Sequence, residues 1–153
     1  MSQFSMDRVY ESRGHSMDAE LNDGPETVAV RTLVESWAAA VRRRDLEGIL
    51  KHHSSDIVMF DVPPPFESIG IEAYKRTWDT FFSWSSDPVL FDFVSMTICA
   101  GSAVAFVFAN MRCAGPGSPT ERELLDFRLT IGLRKADGQW TIVHEHHSVP
   151  ALD

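Results

Sequence analysis

Apolar residues recur along this chain with two periods, and the change from one to the other falls near Val89. From Pro25 onward, Val30, Leu33, Val34, Trp37, Ala38 and Val41 return every three or four residues, which predicts one buried helical face. Pro25 suits the first helical position and Glu26 the positive end of the helix dipole. Arg42, Arg43 and Arg44 crowd the far end, where cations are favoured, and read as a dipole complement on a solvated face. Asp45 can cap a second, short helix through Leu46, Ile49 and Leu50. Ile57 to Val62 predicts a short strand, stopped by Pro63, Pro64 and Pro65, none of which can donate to a sheet. After Gly70 a third helix, Ile71 to Phe82, sets Tyr74, Trp78, Phe81 and Phe82 near one face.

Beyond Val89 the pattern is that of strands: Leu90 to Ala100, Ala103 to Cys113, then a hairpin of Leu125 to Arg134 and Trp140 to Val149. Asp137 and Gly138 mark its turn, because glycine tolerates the positive φ of a tight turn. In the first hairpin strand Phe127, Leu129, Ile131 and Leu133 alternate with Asp126, Arg128 and Thr130. The second begins apolar and ends in His144, Glu145, His146, His147 and Ser148, the content of a strand that lines a cavity or an interface. Helices followed by an antiparallel run indicate an α+β fold with helices packed on one sheet face. Ile131, Leu133, Trp140 and Ile142 are assigned to the opposite face, where no helix is left to cover them, so a homodimer through that outer face is expected.

The length of 153 residues suits one domain; residues 1–23 lack periodicity and read as a flexible tail, with the domain over 24–153. A net charge of −8 argues against a nucleic-acid binder and against an anionic membrane surface. Cys99 and Cys113 lie within apolar runs and read as packing thiols of a reducing compartment. With no signal-peptide layout and no apolar run of spanning length, a cytoplasmic location is expected. His144 and His146, two apart on a strand, share a face and are placed at the dimer interface; a third ligand at metal-binding spacing is not visible, so no metal is expected. His52 and His53 read as complements of the second helix's dipole. No glycine-rich phosphate loop is visible, and no cofactor is implied.

The order of a helix, "RRDLEGIL", "SSDIVMFDVPPP", a third helix and a strand meander resembles the nuclear-transport-factor-2-like (cystatin-like) superfamily, over about residues 26 to 150. More narrowly it is similar to the SnoaL-like and ketosteroid-isomerase-like proteins of bacteria, and "DGQWTIVHEHHSVP" also resembles the association domain of calcium/calmodulin-dependent kinase. The resemblance implies a curved antiparallel sheet forming a cone, with about three N-terminal helices packed on its concave face over a pocket. It also implies that Asp61 stands where the isomerases keep the carboxylate that moves a proton beside a carbonyl. Their hydrogen-bonding tyrosine is matched by Trp37, and their protonated aspartate falls near Arg128 to Thr130, so the isomerase oxyanion pair is absent. The kinase domain's pocket arginine aligns with His147, which favours Val143, Glu145 and His147 as inward and His144 and His146 as outward.

Strand alternation extends this to an inward set of Phe106, Phe108, Asn110 and Arg112 on one strand and Asp126, Arg128 and Thr130 on the next. The expected cavity has an aromatic floor of Trp37, Trp78, Phe106 and Phe108, with Asp61, Asn110, Arg112, Arg128, Glu145 and His147 converging on it. Its arginines would be neutralised by Asp61, Asp126 and Glu145 or by a ligand carboxylate. The expected activity is acid–base chemistry on a small apolar or carboxylate-bearing molecule, of isomerase, cyclase, dehydratase or hydrolase type. Asp61 would act as base, His147 as proton carrier and Arg128 or Arg112 as the anion holder. Each also has a structural reading: Asp61 as a strand terminator, the arginines as ion-pair partners, His147 as a core histidine, Trp37 and Trp78 as core aromatics. The alternative function is a non-catalytic ligand-binding or assembly module working as a homodimer.

Overall fold

The computed structural model describes residues 24–152 of the chain, so the segment read as a tail, 1–23, lies outside the described residues. Three helices, α1 (Pro25–Arg42), α2 (Leu46–Leu50) and α3 (Ile71–Trp84), pack on a curved, unclosed sheet of six strands. The strands are β1 (His53–Phe60), β2 (Ser68–Ile69), β3 (Phe91–Ala100), β4 (Val104–Ala114), β5 (Leu124–Ala136) and β6 (Gln139–Ser148). Their order is β2-β1-β6-β5-β4-β3. All neighbours are antiparallel except β1 and β6, which run parallel because two helices and β2 separate β1 from the meander.

The predicted helical stripe holds: Val30, Val34, Trp37, Ala38 and Val41 are all buried. Asp45 accepts from the Gly48 amide at 3.0 Å and caps α2. A Cβ at position 48 would sit 2.9 Å from the Asp45 carboxyl carbon, so glycine is what lets this cap close. The arginine run does more than complement a dipole. Arg44, at φ 54°, leaves α1 and reaches the end of α3, donating to the carbonyls of Phe82 at 3.0 Å and Ser85 at 2.9 Å and to Asp87 at 2.8 Å. It thereby satisfies carbonyls that the last turn of α3 leaves open. Arg42 donates to the Phe91 carbonyl at 2.8 Å, tying α1 to the start of β3.

The face assignments on β4 and β5 are the reverse of those expected. Ala105, Val107, Ala109, Met111 and Cys113 are buried on β4, and Phe127, Leu129, Ile131 and Leu133 on β5. Phe106, Phe108, Asn110, Arg112, Asp126, Arg128 and Thr130 therefore lie on the outer face, away from the helices. The physical reason is desolvation. The chosen face is wholly apolar, whereas the other would have taken two guanidiniums into the core. The same finding removes the argument that Ile131, Leu133, Trp140 and Ile142 form an uncovered apolar face, since all four belong to the core.

On β6 neither alternating set is inward as a whole. Trp140, Ile142, Glu145 and His147 share the buried face, a phase change that strict alternation forbids. The register explains it. Leu133 pairs with Ile142 and Gly132 with His144, leaving Val143 as an extra residue. This is a β-bulge, and it turns Glu145 and His147 to the same side as Ile142.

The entry of α1 is pinned to the hairpin by Glu26, which accepts from Lys135 and from the Trp140 indole, each at 2.7 Å. Lys135, first, then Trp140 hold the Glu26 carboxyl below its ordinary 4.5 against a smaller opposing effect of burial. A carboxyl depressed on folding contributes stability that is complete above its unfolded value and fades as pH falls through the folded one. Glu26→Gln is therefore expected to cost stability at neutral pH, with wild type and variant converging in urea denaturation as pH drops from about 5 to about 3.

Candidate functional site

Between α3, the end of β1 and the inner face of the meander lies a cavity of about 280 Å³. Aromatic rings make most of its wall: Trp78, Phe81 and Trp84 from one side of α3, with Phe91 and Phe127 from the sheet. The (i, i+3) and (i, i+4) spacing on α3 sends these side chains to one side of the helix. Asp61, just past β1, and His147, near the end of β6, bring titratable chemistry to this lining.

The His147 ring stacks on Phe127, 5.5 Å between centroids and 21° between planes, and stands edge-on to Trp37 and Trp78. Its two nitrogens face two carboxylates: Nδ1 is 3.9 Å from Asp61 Oδ1, and Nε2 is 3.9 Å from Glu145 Oε2. Both separations exceed hydrogen-bond length, so His147 is poised between acids and bonded to neither. Asp61 is steadied by the Val62 amide, which donates to its Oδ1 at 2.8 Å.

Behind His147 is a buried polar cluster. Glu145 has no solvent exposure, and its Oε1 accepts from the Tyr74 hydroxyl at 3.0 Å. His53 Nε2 lies 3.0 Å from the same hydroxyl and 3.1 Å from Glu145 Oε1. The Trp37 indole donates to the Tyr74 oxygen at 3.1 Å. Hydrogen-bond accounting gives the protons. The Lys51 carbonyl, 3.2 Å from His53 Nδ1, only accepts, so Nδ1 carries a hydrogen. Tyr74 spends its hydrogen on Glu145. The contact between His53 Nε2 and Glu145 Oε1 then needs a proton of its own, on one atom or the other, and the cluster as a whole is neutral. Burial, and after it the charge of Glu145, keep the Tyr74 hydroxyl proton on well above its ordinary pKa of 10. Cys113, also in the wall, is no nucleophile: burial, then Asp126 and Asp61, push its thiol up to about 11.

The structure brings some of the expected residues together and separates others. Asp61, His147 and Trp78 line the cavity, with Glu145 and Trp37 directly behind the wall. Arg128, Arg112, Asn110 and Phe108 do not reach it. Arg112 is held by Asp126 in a two-pronged pair at 2.7 and 3.0 Å, Arg128 donates to Ser148 at 3.1 Å, and Asn110 to Ser95 at 3.1 Å. Phe106 and Phe108 stack on each other at 6.3 Å on the outer face, each 49 % exposed. His144 and His146 also face outward, flanking Phe60, and His144 Nδ1 donates to the Val58 carbonyl. Among the described residues no group of three or more His, Cys, Asp or Glu side chains is arranged to hold a metal.

Two residues of the cluster were missed. Tyr74 was legible in part, since it precedes Trp78 by one helical turn and shares its face. His53 was not. It opens β1, and the irregular pairing of β1 with β6 between His53 and Val58 is what sets it against Glu145. Tyr74→Phe would strip the Trp37 indole and Glu145 of a partner in a dry place. A loss of about 1–3 kcal/mol in urea denaturation is expected.

With that geometry in place, the kinship of the chain can be stated. Residues 30–152 match the family described as SnoaL-like domain. An NTF2-like protein of unknown function from Pseudomonas putida is 32% identical, covers 88% of this chain and 87% of its own, and superposes with a TM-score of 0.71. A ketosteroid isomerase-like protein from Erwinia carotovora atroseptica shares the fold at 13% identity, over 81% of this chain and 95% of its own, with a TM-score of 0.67. An uncharacterised protein with a cystatin-like fold from Caulobacter vibrioides does so at 16% identity, over 84% and 92%, with a TM-score of 0.70. No curated protein sequence matches the chain. The chain belongs to the SnoaL-like domain family, on the cystatin-like fold that these structures share.

Proposed function

We propose that this SnoaL-like protein is a small-molecule enzyme that works by acid–base chemistry at Asp61 and His147. The observation that carries the reading is the position of His147, an imidazole in an aromatic cavity wall with a different carboxylate off each nitrogen. A proton taken at Nδ1 or Nε2 is stabilised by the carboxylate on that side, so the ring can accept and release protons without moving. Asp61, at the cavity rim and held through the Val62 amide, is placed to remove a proton from a bound carbon acid or hydroxyl. The cluster of Glu145, Tyr74 and His53 holds the proton balance behind it.

The lining also narrows the substrate. With Arg112 and Arg128 outside, no arginine or lysine lines the cavity among the described residues, so a neutral apolar ligand fits better than a carboxylate. The same reading takes the protein to be cytoplasmic, where the free thiols of Cys99 and Cys113 stay reduced. Among the described residues no helix is long and apolar enough to cross a membrane.

The test is turnover of a panel of aromatic enones and β-hydroxy ketones. Asp61→Asn is expected to lower kcat/KM by about 100-fold or more while the melting temperature is kept. Arg128→Ala and Arg112→Ala should leave it within about twofold, since each is an exposed outer-face group. Undiminished turnover in Asp61→Asn would remove this mechanism.

A second reading, a ligand-binding or assembly module acting as a homodimer, draws on one observation. Val104, Phe106 and Phe108 form an exposed apolar strip on the outer sheet face. Sedimentation equilibrium is expected to show a dimer that Phe106→Ser with Phe108→Ser converts to monomer. A wild-type monomer would end this reading, and dimerisation through that face is compatible with catalysis on the other.

A further inference from the structure

The inner end of the cavity wall contains three buried polar atoms that have no hydrogen-bond partner among the described residues: Glu145 Oε2, His147 Nε2 and Trp78 Nε1. Native interiors leave few such atoms, and here three gather at one place. Glu145 and His147 stand two apart on β6, and Trp78 crosses them from α3, its ring 6.3 Å from that of His147. Glu145 Oε2 and His147 Nε2 are 3.9 Å apart, too far for a hydrogen bond and the right span for one oxygen about 2.8 Å from each.

The chemistry of the three atoms specifies that oxygen. An indole N–H only donates. Glu145 Oε2 only accepts, because the proton shared between Glu145 and His53 lies on the Oε1 side of the carboxyl. A group that satisfies both must accept from Trp78 and donate to Glu145. A carbonyl oxygen cannot donate, and an ammonium cannot accept. We propose that Glu145 Oε2, His147 Nε2 and Trp78 Nε1 form a subsite for one hydroxyl oxygen, either of a water molecule or of an alcohol group on the ligand. The proposal deepens the small-molecule reading of the cavity, on which it rests for the ligand's entry. It assigns to the ligand an O–H at the buried end and leaves Asp61 to act near the rim.

Two probes of matched shape test it, benzyl alcohol and toluene, each titrated into the full-length protein with chemical-shift and calorimetric detection. An aromatic wall without a hydroxyl subsite favours toluene by tenfold or more, because the alcohol sheds water for nothing in return. With the subsite, benzyl alcohol is expected to bind at least as tightly as toluene. Trp78→Phe, which removes the donor and keeps the ring, should swing the ratio back toward toluene about tenfold. Crystals separate the two sources of the oxygen. Water is expected within hydrogen-bond distance of Glu145 Oε2 and His147 Nε2 without the probe, and the alcohol oxygen in the same place with it. Toluene preferred in the wild type, neither probe bound, or His147 closed directly onto Glu145 with no oxygen between them would each overturn the proposal. None of these measurements passes through turnover, so they stand apart from the fate of Asp61→Asn.

Discussion

Glu145 lies in the interior of the domain with no exposed surface, and a carboxylate there costs several kcal/mol unless its oxygens are hydrogen-bonded and its charge is matched. Much of the geometry around the cavity answers that demand. Tyr74 comes from α3 to donate to it, His53 comes from the start of β1 to share a proton with it, and Trp37 comes from α1 to hold Tyr74 in place. Three elements far apart in sequence are thereby keyed to one atom of β6. Their apolar faces make the core, and the polar key fixes how they are turned relative to one another.

The bulge at Val143 is what makes the arrangement possible. Without the extra residue, the phase that buries Trp140 and Ile142 would carry Glu145 and His147 to the outer face. With it, β6 serves the apolar core over its first half and the cavity over its second. The two carboxylates around His147 also differ in kind. Asp61 is rim-side and leans on a backbone amide, while Glu145 is locked in a neutral cluster. An imidazole between a reactive and a structural acid is a suitable arrangement for directional proton transfer.

The outer face of the sheet is built on another principle. Its charges pair across neighbouring strands, Arg112 with Asp126, in the open, where such a pair is worth about 0–1 kcal/mol. Beside them the stacked Phe106 and Phe108 are left half in solvent. Large aromatic residues on a strand suggest the core, and these two invited the wrong phase for β4. Ala105, Val107, Ala109 and Met111 are smaller, but they are uniformly apolar, and uniformity rather than bulk decided which side went in.

Local signals were sufficient for the elements. The period of three to four in α1, the Asp45 cap, the Asp137-Gly138 turn and the long β runs are interactions within a few residues, so the chain carries them wherever it goes. The α+β class and the SnoaL-like resemblance follow from their order, and Asp61 and His147 were singled out on that basis. What sequence alone could not supply was the phase of each strand and the company of each polar group. A bulge costs little locally and leaves no mark in composition, yet it chose the side on which Glu145 and His147 lie. The pairing of His53 and Tyr74 with Glu145 spans 92 and 71 residues, and only the packed sheet and helices bring such distant groups within hydrogen-bond reach. Apolar periodicity is set by short-range geometry and is written in the sequence. The partnership of buried polar groups is set by desolvation across the whole domain, and the tertiary structure alone decides it.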